Sequence, residues 1–507
     1  MPDSALRELA RIDALGATAV RLTRLPSRPV AARADTLGLR LFVDLPVSYV
    51  AAPRLSDALA QVAPTLDRLV TLARKHASIT HVGLAHTTNT TVPAACETLG
   101  RWTERVHDRE PSLRTYYVTP FAAAVDRCAD AVDHPLVDVR ASTRPVARWE
   151  AWRARSAPVG IGAVGTWVRP SAAPGLRVPH SPERQARYLE RVLSQVLDST
   201  QSPPPVVFIA RWKDRASPVL PSRRYGLHAP DGTPRRAAGV ARGLYTGTQR
   251  VFAFPAGPRP NTDALGLLVL GWGLVALLGG LYARHLFVRR TVARYFTAPG
   301  FYRDALREGH DLPSGTNGAL LGAVVGALGL TGVRAARLAA GQPGTGRVLA
   351  AVPSGLRTVL AGGIEHPRMT GIIVGGVVLG LLLIWMTALV AVARRWTQFS
   401  PAQGLMLLAW PCWPAFVALP VALAAAPDSL LSPSLLALFL LIGGGFTLVY
   451  FTARVLFDYW IVTGLPGSVV VLLAVPSPLI LGTGPLFVLA WQYGVPLRLL
   501  WHLALHA

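Results

Sequence analysis

Five apolar runs, each long enough to cross a lipid bilayer, occupy the second half of this sequence: 264–288, 371–393, 404–426, 435–457 and 468–493. A crossing helix needs about 20 such residues. A chain carrying these runs folds in part as a helical bundle in lipid, and whatever precedes them must be a separate soluble body. A sixth run, 318–333 (GALLGAVVGALGLTGV), is short and Gly-rich. It crosses if Arg334 and Arg337 snorkel to the interface; otherwise it is a re-entrant or interfacial helix. Composition agrees, with 51% apolar residues and a mean hydropathy of +0.36, which excludes an all-soluble chain.

Charge divides the chain in the same place. Residues 1–263 carry 36 Lys+Arg against 22 Asp+Glu, a net +14, and residues 264–507 carry 15 against 6, a net +9. The basic residues are almost all arginine, Lys75 and Lys213 being the exceptions, a bias that fits a GC-rich bacterial coding sequence. They are dispersed, with no basic stripe or aromatic-basic module, so nucleic acid is not an expected partner. Cys96, Cys128 and Cys412 form no CxxC and no framework, so neither a disulfide nor structural zinc is expected. The histidines are scattered; no metal or other cofactor is expected.

Orientation follows from arginines flanking the first run. Arg250 and Arg259 precede it, whereas Arg289, Arg290, Arg294, Arg303 and Arg307 follow it. Positive charge is retained in the cytoplasm, so the front domain is expected outside a bacterial inner membrane. With six crossings the rule is nearly tied, because Arg334, Arg337, Arg347, Arg357 and Arg368 would also face out. Charges are sparse within the runs, unlike a transporter or proton pump. Asp458 follows Arg454 at i,i+4 spacing, an ion pair on one helix face. Pro411, Pro414 and Pro420, and again Pro476, Pro478 and Pro485, predict kinked helices. The segments WPCWPAFVALPVAL and YFTARVLFDYW, within short-looped spans from 318 onward, resemble a Yip-type membrane domain.

The front half alternates β-branched runs with amphipathic helical stretches, as βα units do. Strands are expected at Thr18–Leu22, Leu39–Asp44, Thr80–Ala85, Thr115–Thr119, Val137–Ala141, Val159–Ala163 and Val206–Ala210. The fold class is therefore an α/β barrel of the (β/α)8 type with seven strands present, followed by an all-α transmembrane bundle of five or six spans. The boundaries are 1–250 for the barrel, 251–263 for a Pro/Gly linker, 264–288 for the first span, 289–317 for an Arg-rich loop and 318–507 for the Yip-like domain.

Several segments are similar, in order, to the catalytic barrel of glycoside hydrolase family two. DALGATAVRLTRLP (Asp13–Pro26) resembles its second strand, where Arg21 and Pro26 match while Arg24 and Leu25 stand in place of His and Tyr. ADTLGLRLFVDLP resembles the third unit and LVTLARKHASITHVGLAHTTN the helix and strand that end in the family's Asn-Glu. PVGIGAVG resembles the seventh strand, which ends in Glu-Phe-Gly; VVFIARWKD and YGLHAPDGTPRRAA resemble the eighth strand and closing segment. The resemblance implies a first strand and an export signal ahead of Met1, and open edges at Thr18–Leu22 and Val206–Ala210.

The family's chemistry is not carried over. A retaining glycosidase needs two carboxyl groups about 5–5.5 Å apart. At the acid/base site stand His86 and Thr87, and at the nucleophile position stands Ala163, with no Asp or Glu in 68–96 or 151–182. Asp44, Asp138 and Asp214 sit at strand ends, where the expected role is a loop cap or a salt bridge to arginine. The expected cavity is rimmed by Arg21, Arg24, His86, Trp167 and Trp212, a set suited to a glycan or surface polysaccharide.

Two motifs are set aside. Gly160, Gly162 and Gly165 spell GxGxxG, but prolines follow where a dinucleotide site needs a helix. GQPGTGRV (341–348) mimics a phosphate loop with Arg347 and Val348 in place of Lys and Ser/Thr. The expected function is a membrane-anchored, catalytically inactive glycosidase-like barrel that binds a glycan or partner at the membrane surface. The alternatives are an active glycosidase with relocated carboxylates and a Yip-type scaffold.

Overall fold

The computed structural model describes residues 2–156, 158–198, 203–215, 219–259, 264–309, 312–417, 433–492 and 495–506. The chain forms two compact units: one from Met1–Pro260, Pro343–Thr358 and Pro496–Ala507, the other from Asn261–Gln342 and Val359–Val495.

In the first unit the order is α1 (Pro2–Ala14), β1 (Ala19–Leu22), α2 (Arg28–Leu37), β2 (Arg40–Asp44), α3 (Leu55–Gln61), α4 (Ala63–Ala73), β3 (Ile79–His86), α5 (Pro93–Arg109), β4 (Arg114–Thr119), β5 (His134–Asp138), α6 (Pro145–Arg153), β6 (Gly160–Val164), α7 (Pro182–Leu197), β7 (Val207–Ile209) and α8 (Arg236–Tyr245). The seven strands pair in parallel in sequence order. All seven expected strands are present, the fifth displaced toward its N-terminus. His134 and Pro135 pair with Tyr116 and Tyr117; a proline lacks the ladder donor, which hid the start of this strand from a propensity argument. Among the described residues no ladder joins β1 to β7, although Ala19 packs with Phe208 inside the sheet. The barrel is thus nearly closed, with a seam at the expected edges.

Alternation along each strand sends one set of side chains inward. Phe42, Tyr116, Val118, Leu136 and Phe208 fill the interior. Gly83 is required there: a Cβ would lie 2.6 Å from the Asp44 Oδ1 and 2.7 Å from the Tyr116 Cζ. The opposite set packs under the helices, around Leu41, Val43, Val82 and Leu84 on one side and Val137, Ile161 and Val164 on the other. Helix α7 starts as its sequence predicts: the Arg184 amide donates to the Ser181 Oγ at 3.1 Å, with Pro182 in the first turn. Its inner face buries Ala186, Leu189, Val192, Leu193 and Val196.

The expectation of no disulfide is corrected: Cys96, in α5, is bonded to Cys128 across a sequence separation of 32. No local spacing rule reports such a bridge, because the barrel winding brings the first turns of α5 beside the loop after β4. Cys412 is free and buried.

Among the described residues four helices, all in the second unit, are long and apolar enough to cross a membrane, Gly266–Arg284, Ser314–Gly341, Pro367–Ala393 and Gly443–Thr463; a fifth is counted if Pro478–Gln492 of the second unit and Leu497–Ala504 of the first are one broken span. These belong to α9 (Ala264–Arg284), α12 (Ser314–Gly341), α15 (Pro367–Ala393) and the helix Pro433–Thr463. The Gly-rich run at 318–333 lies within one unbroken helix of 28 residues. The stretch read as an Arg-rich loop instead folds mostly as α10 (Leu286–Thr297) and α11 (Pro299–Glu308). Helices α12 and α15 meet through small residues: a Cβ on Gly371 would lie 2.8 Å from the Gly329 carbonyl oxygen. Past the short helices α13 (Thr345–Ala350) and α14 (Ser354–Glu365), α16 (Pro401–Ala409) tightens into a 3₁₀ turn at Trp410–Cys412, which contains Pro411. Pro420 lies outside the described residues.

Asp458, fully buried, accepts a hydrogen bond from the Arg303 Nε of α11 at 2.8 Å and forms an ion pair with Arg454 at 2.8 Å. The i,i+4 pair is as expected; the second arginine arrives from 155 residues away.

Replacing Gly83 by alanine should overpack the barrel interior and cost about 1–3 kcal/mol, read as a lower thermal midpoint of the barrel's circular dichroism. An unchanged midpoint would show that Asp44 and Tyr116 can move aside.

Candidate functional site

Ligand sites of parallel barrels form at the C-terminal ends of the strands, and polar side chains gather there in this chain. Arg21, on β1, forks onto Asp44 at the end of β2: its Nε donates to Oδ1 at 3.1 Å and its Nη2 to Oδ2 at 2.8 Å. Its Nη1 reaches the Gly162 carbonyl of β6 at 3.2 Å. The Tyr116 hydroxyl donates to the Asp44 Oδ1 at 2.7 Å. Both carboxylate oxygens of Asp44 are therefore engaged.

Asp138, the last residue of β5, has no exposed surface. Arg140 grips it through Nε at 2.9 Å and Nη2 at 2.6 Å. A second guanidinium comes from the segment between α12 and α15: the Arg347 Nε donates to the Asp138 Oδ2 at 3.2 Å, its Nη2 lies 3.1 Å from Oδ1, and its side chain is only 7% exposed. Burial would raise the Asp138 carboxyl; Arg140 and Arg347 outweigh it and hold that carboxyl well below the usual carboxylate range. Arg148, also near this pair, is pushed down to about 10 by burial and by Arg347.

The same segment closes over the mouth. Val348 and Ala351 pack with Phe121, Leu499 and Leu503 in a small core, and Arg357 donates to the Ala350 and Val352 carbonyls at 3.0 and 2.7 Å. The Arg223 Nη1 donates to the Pro343 carbonyl at 3.4 Å. The part of the phosphate-loop lookalike from Pro343 onward thus packs on residues that follow the strand ends.

His86 is half-buried at the end of β3, its ring near Tyr49. Burial, then Arg21 and Arg140, push its imidazole well below the ordinary range, so it stands neutral. Thr87 is fully buried with φ 56°, its amide bonded to the Val118 carbonyl at 2.8 Å. Tyr49, Ala141 and His180 share this left-handed conformation, at φ 58°, 54° and 58°. All four non-glycine positions lie in segments that leave the C-terminal ends of strands. Such strain collects where surrounding bonds fix the backbone: Tyr49 donates its amide to the His86 carbonyl at 3.0 Å and Ala141 to the Gly165 carbonyl at 2.8 Å.

Ala163 lies opposite Asp138 in the ladder and is buried. Trp167 is only 4% exposed; His180 stacks on it at 4.3 Å and the Arg223 guanidinium sits 4.2 Å from its centroid. Trp212 donates its indole N–H to Glu8 of α1 at 2.6 Å and leans on His228. Arg24 is exposed, with no hydrogen bond or ion pair among the described residues. The structure therefore gathers Arg21 and His86 into one polar layer, while Trp167 and Trp212 are occupied by intramolecular contacts. Arg140, Arg347 and Tyr116 were not expected. Arg140 carried a signal, lying two residues past a strand-end aspartate.

Asp214 pairs with Arg235 at 2.7 Å and accepts the Gly226 amide at 2.8 Å. A glycosidase acid must be protonated near neutral pH. The one carboxyl with a raised value among the described residues is Asp126, pushed up by burial. It accepts from Thr90, from the Tyr117 and Thr119 hydroxyls at 2.8 Å each, and from the Cys128 amide at 3.0 Å, with no exposed surface. Its bonds hold the disulfide-linked loop. No group of three or more His, Cys, Asp or Glu able to hold a metal occurs among the described residues.

No protein-family profile matches the chain, and no curated protein does. Among solved structures, the chain is similar to a family-two β-galacturonidase from Eisenbergiella tayi bound to galacturonate, with 17% identity over 50% of this chain and 49% of that one and a TM-score of 0.44. It is also similar to a β-glucuronidase from an uncultured Clostridium species, with 14% identity over 48% and 47% of the two chains and the same TM-score. The chain spans about half the length of these structures. The barrel is established by its own strand order.

Four half-buried imidazoles contribute to the acid response of this unit. Desolvation lowers His81 to about 3 and His180 to about 4, lowers His86 well below the ordinary range, and lowers His134 as well. Unfolded, each would protonate near pH 6.5. Their contribution is fully present above that pH and is lost as pH falls toward the folded values, at up to about 1.4 kcal/mol per pH unit for each group. Chemical denaturation between pH 7 and 5 should show this slope, and His81→Gln should remove about one quarter of it. An unchanged slope in that variant would refute the assignment.

Proposed function

We propose that the barrel is a non-hydrolytic docking module of a membrane protein, and that its mouth is a docking site for the chain's own Pro343–Thr358 segment. The observation that carries this reading is the Arg347 guanidinium on the buried Asp138, in the position where a parallel barrel binds its ligand. Thr87 and Ala163 stand where the resembled family has its carboxylates, and Asp138 is held ionised, the opposite of a general acid. A glycan or partner remains the outside ligand of this reading: Arg140, Arg148 and Arg347 surround one carboxylate, an excess of positive charge suited to an acidic ligand.

Aryl glycosides, glucuronides included, should be hydrolysed by the purified chain no faster than by buffer. Arg347→Ala should destabilise the barrel by about 2 kcal/mol and Arg347→Lys by less. Turnover abolished at Asp44, Asp138 or Asp214 would restore the enzyme reading. Recovery of the Arg347→Ala loss by added guanidinium would support the segment's role, and stabilisation of the parent by an acidic sugar would support an outside ligand.

The second element of the proposal is sidedness: a multi-pass protein of a bacterial inner membrane with the barrel outside. The disulfide supports it, because such bridges persist in oxidising compartments. Burial of Arg347 in its ion pair and bonding of Arg357 to carbonyls also remove two arginines from the charge tie. Blocking free thiols in intact cells and then reducing should release Cys96 and Cys128 together; finding both already blocked would place the barrel in the cytoplasm.

A further inference from the structure

The second unit contains an apolar cavity of about 260 Å³, lined by Leu278 of α9, Val288 and Val292 of α10, Leu320 of α12, and by Trp410 and Phe416. An apolar cavity of about 150 Å³ is enough to take up benzene, so this one has room for a run of methylene groups. Its lining is almost entirely hydrocarbon and aromatic ring, and it belongs to helices that include two of the candidate spans.

Charge identifies the occupant. From residue 264 to 303 there is no Asp or Glu. Arg284, Arg289, Arg290 and Arg294 are exposed, and none of them pairs with a carboxylate among the described residues. Elsewhere in the chain Arg21, Arg140, Arg303, Arg347 and Arg454 all grip acids. Leu278 precedes Arg284 by six residues, about 9 Å along a helix, the offset between a headgroup and the upper methylenes of its chain. Tyr282 and Trp413, which also line the cavity, are residues that settle at the level of lipid headgroups.

We propose that this cavity holds one acyl chain of an anionic phospholipid whose headgroup is drawn to the arginines of α9 and α10. Juxtamembrane arginines attract acidic lipid, and the cavity gives one such lipid a fixed seat. Trp410 and Trp413 make the seat observable, since bromine on an acyl chain quenches tryptophan on contact.

The full chain, delipidated in detergent, would be titrated with brominated phosphatidylglycerol, brominated phosphatidylcholine and unbrominated glycerol 3-phosphate. The expected result is quenching at a roughly ten-fold lower mole fraction of phosphatidylglycerol than of phosphatidylcholine. The exposed double variant Arg289→Gln/Arg290→Gln should erase that preference. Leu278→Phe, which narrows the cavity, should weaken quenching by both lipids, and Trp410→Phe/Trp413→Phe should remove most of the signal. Equal response to the two lipids would overturn the choice of an anionic lipid. Quenching indifferent to the cavity variants would overturn the seat, and displacement of the lipid by glycerol 3-phosphate alone would show a headgroup site that holds no chain.

Discussion

A carboxylate with no exposed surface must be neutralised where it stands, and Asp138 is such a carboxylate. Its own strand end supplies Arg140, and a segment 209 residues further along supplies Arg347. The second guanidinium has consequences beyond charge. It brings Pro343–Thr358 into the barrel's compact unit, seats Val348 and Ala351 beside Phe121, and closes the end of the barrel where a ligand would enter. Tyr116 and Arg21 satisfy Asp44 in the same way one layer below or beside it, and Gly83 is confined to glycine by that arrangement.

The same rule governs the second unit with different elements. Asp458 holds Arg303 and Arg454 together, tying α11 to the helix Pro433–Thr463. The indole of Trp385 donates to the Leu473 carbonyl at 2.8 Å, and the Tyr459 hydroxyl to the Leu389 carbonyl at 2.8 Å. Polar groups among apolar helices are costly unless bonded, and these bonds choose which helices adjoin. Asp458, Arg303 and Arg454 are consumed in this staple.

What could be read from residues alone divides along the same physical line. Strands such as Leu41–Asp44 and Gly160–Val164 declare themselves through continuous burial, and Ser181–Pro182–Glu183 declares a helix start. The apolar runs at 264–288, 371–393 and 435–457 declare long helices, as does the one around Gly322 that looked too short, whereas 468–493 is divided between two helices and 404–426 lies partly outside the described residues. Pairings distant in sequence do not declare themselves. Nothing near Cys96 points to Cys128, and nothing near Arg347 points to Asp138, because both pairings depend on how the barrel winds. The aromatic residues expected in the cavity illustrate a further limit: Trp167 and Trp212 lie beside the right strands, but His180, Arg223 and Glu8 reach them first.

The composition of the mouth also explains why its occupant comes from within the chain. An acidic ligand entering from outside would compete with Asp138 for Arg140 and Arg347, and a cationic one would compete with Arg347 for Asp138. Either must break charge-assisted bonds formed out of water, where they are stronger than the bonds a solvated ligand gives up. The internal segment gives up no translational entropy, since it is covalently part of the chain and so present at high effective concentration. His86, kept neutral by the surrounding cations, adds no charge for a ligand to exploit. A buried aspartate among arginines is therefore satisfied by a guanidinium of its own chain, and that contact joins the segment to the barrel.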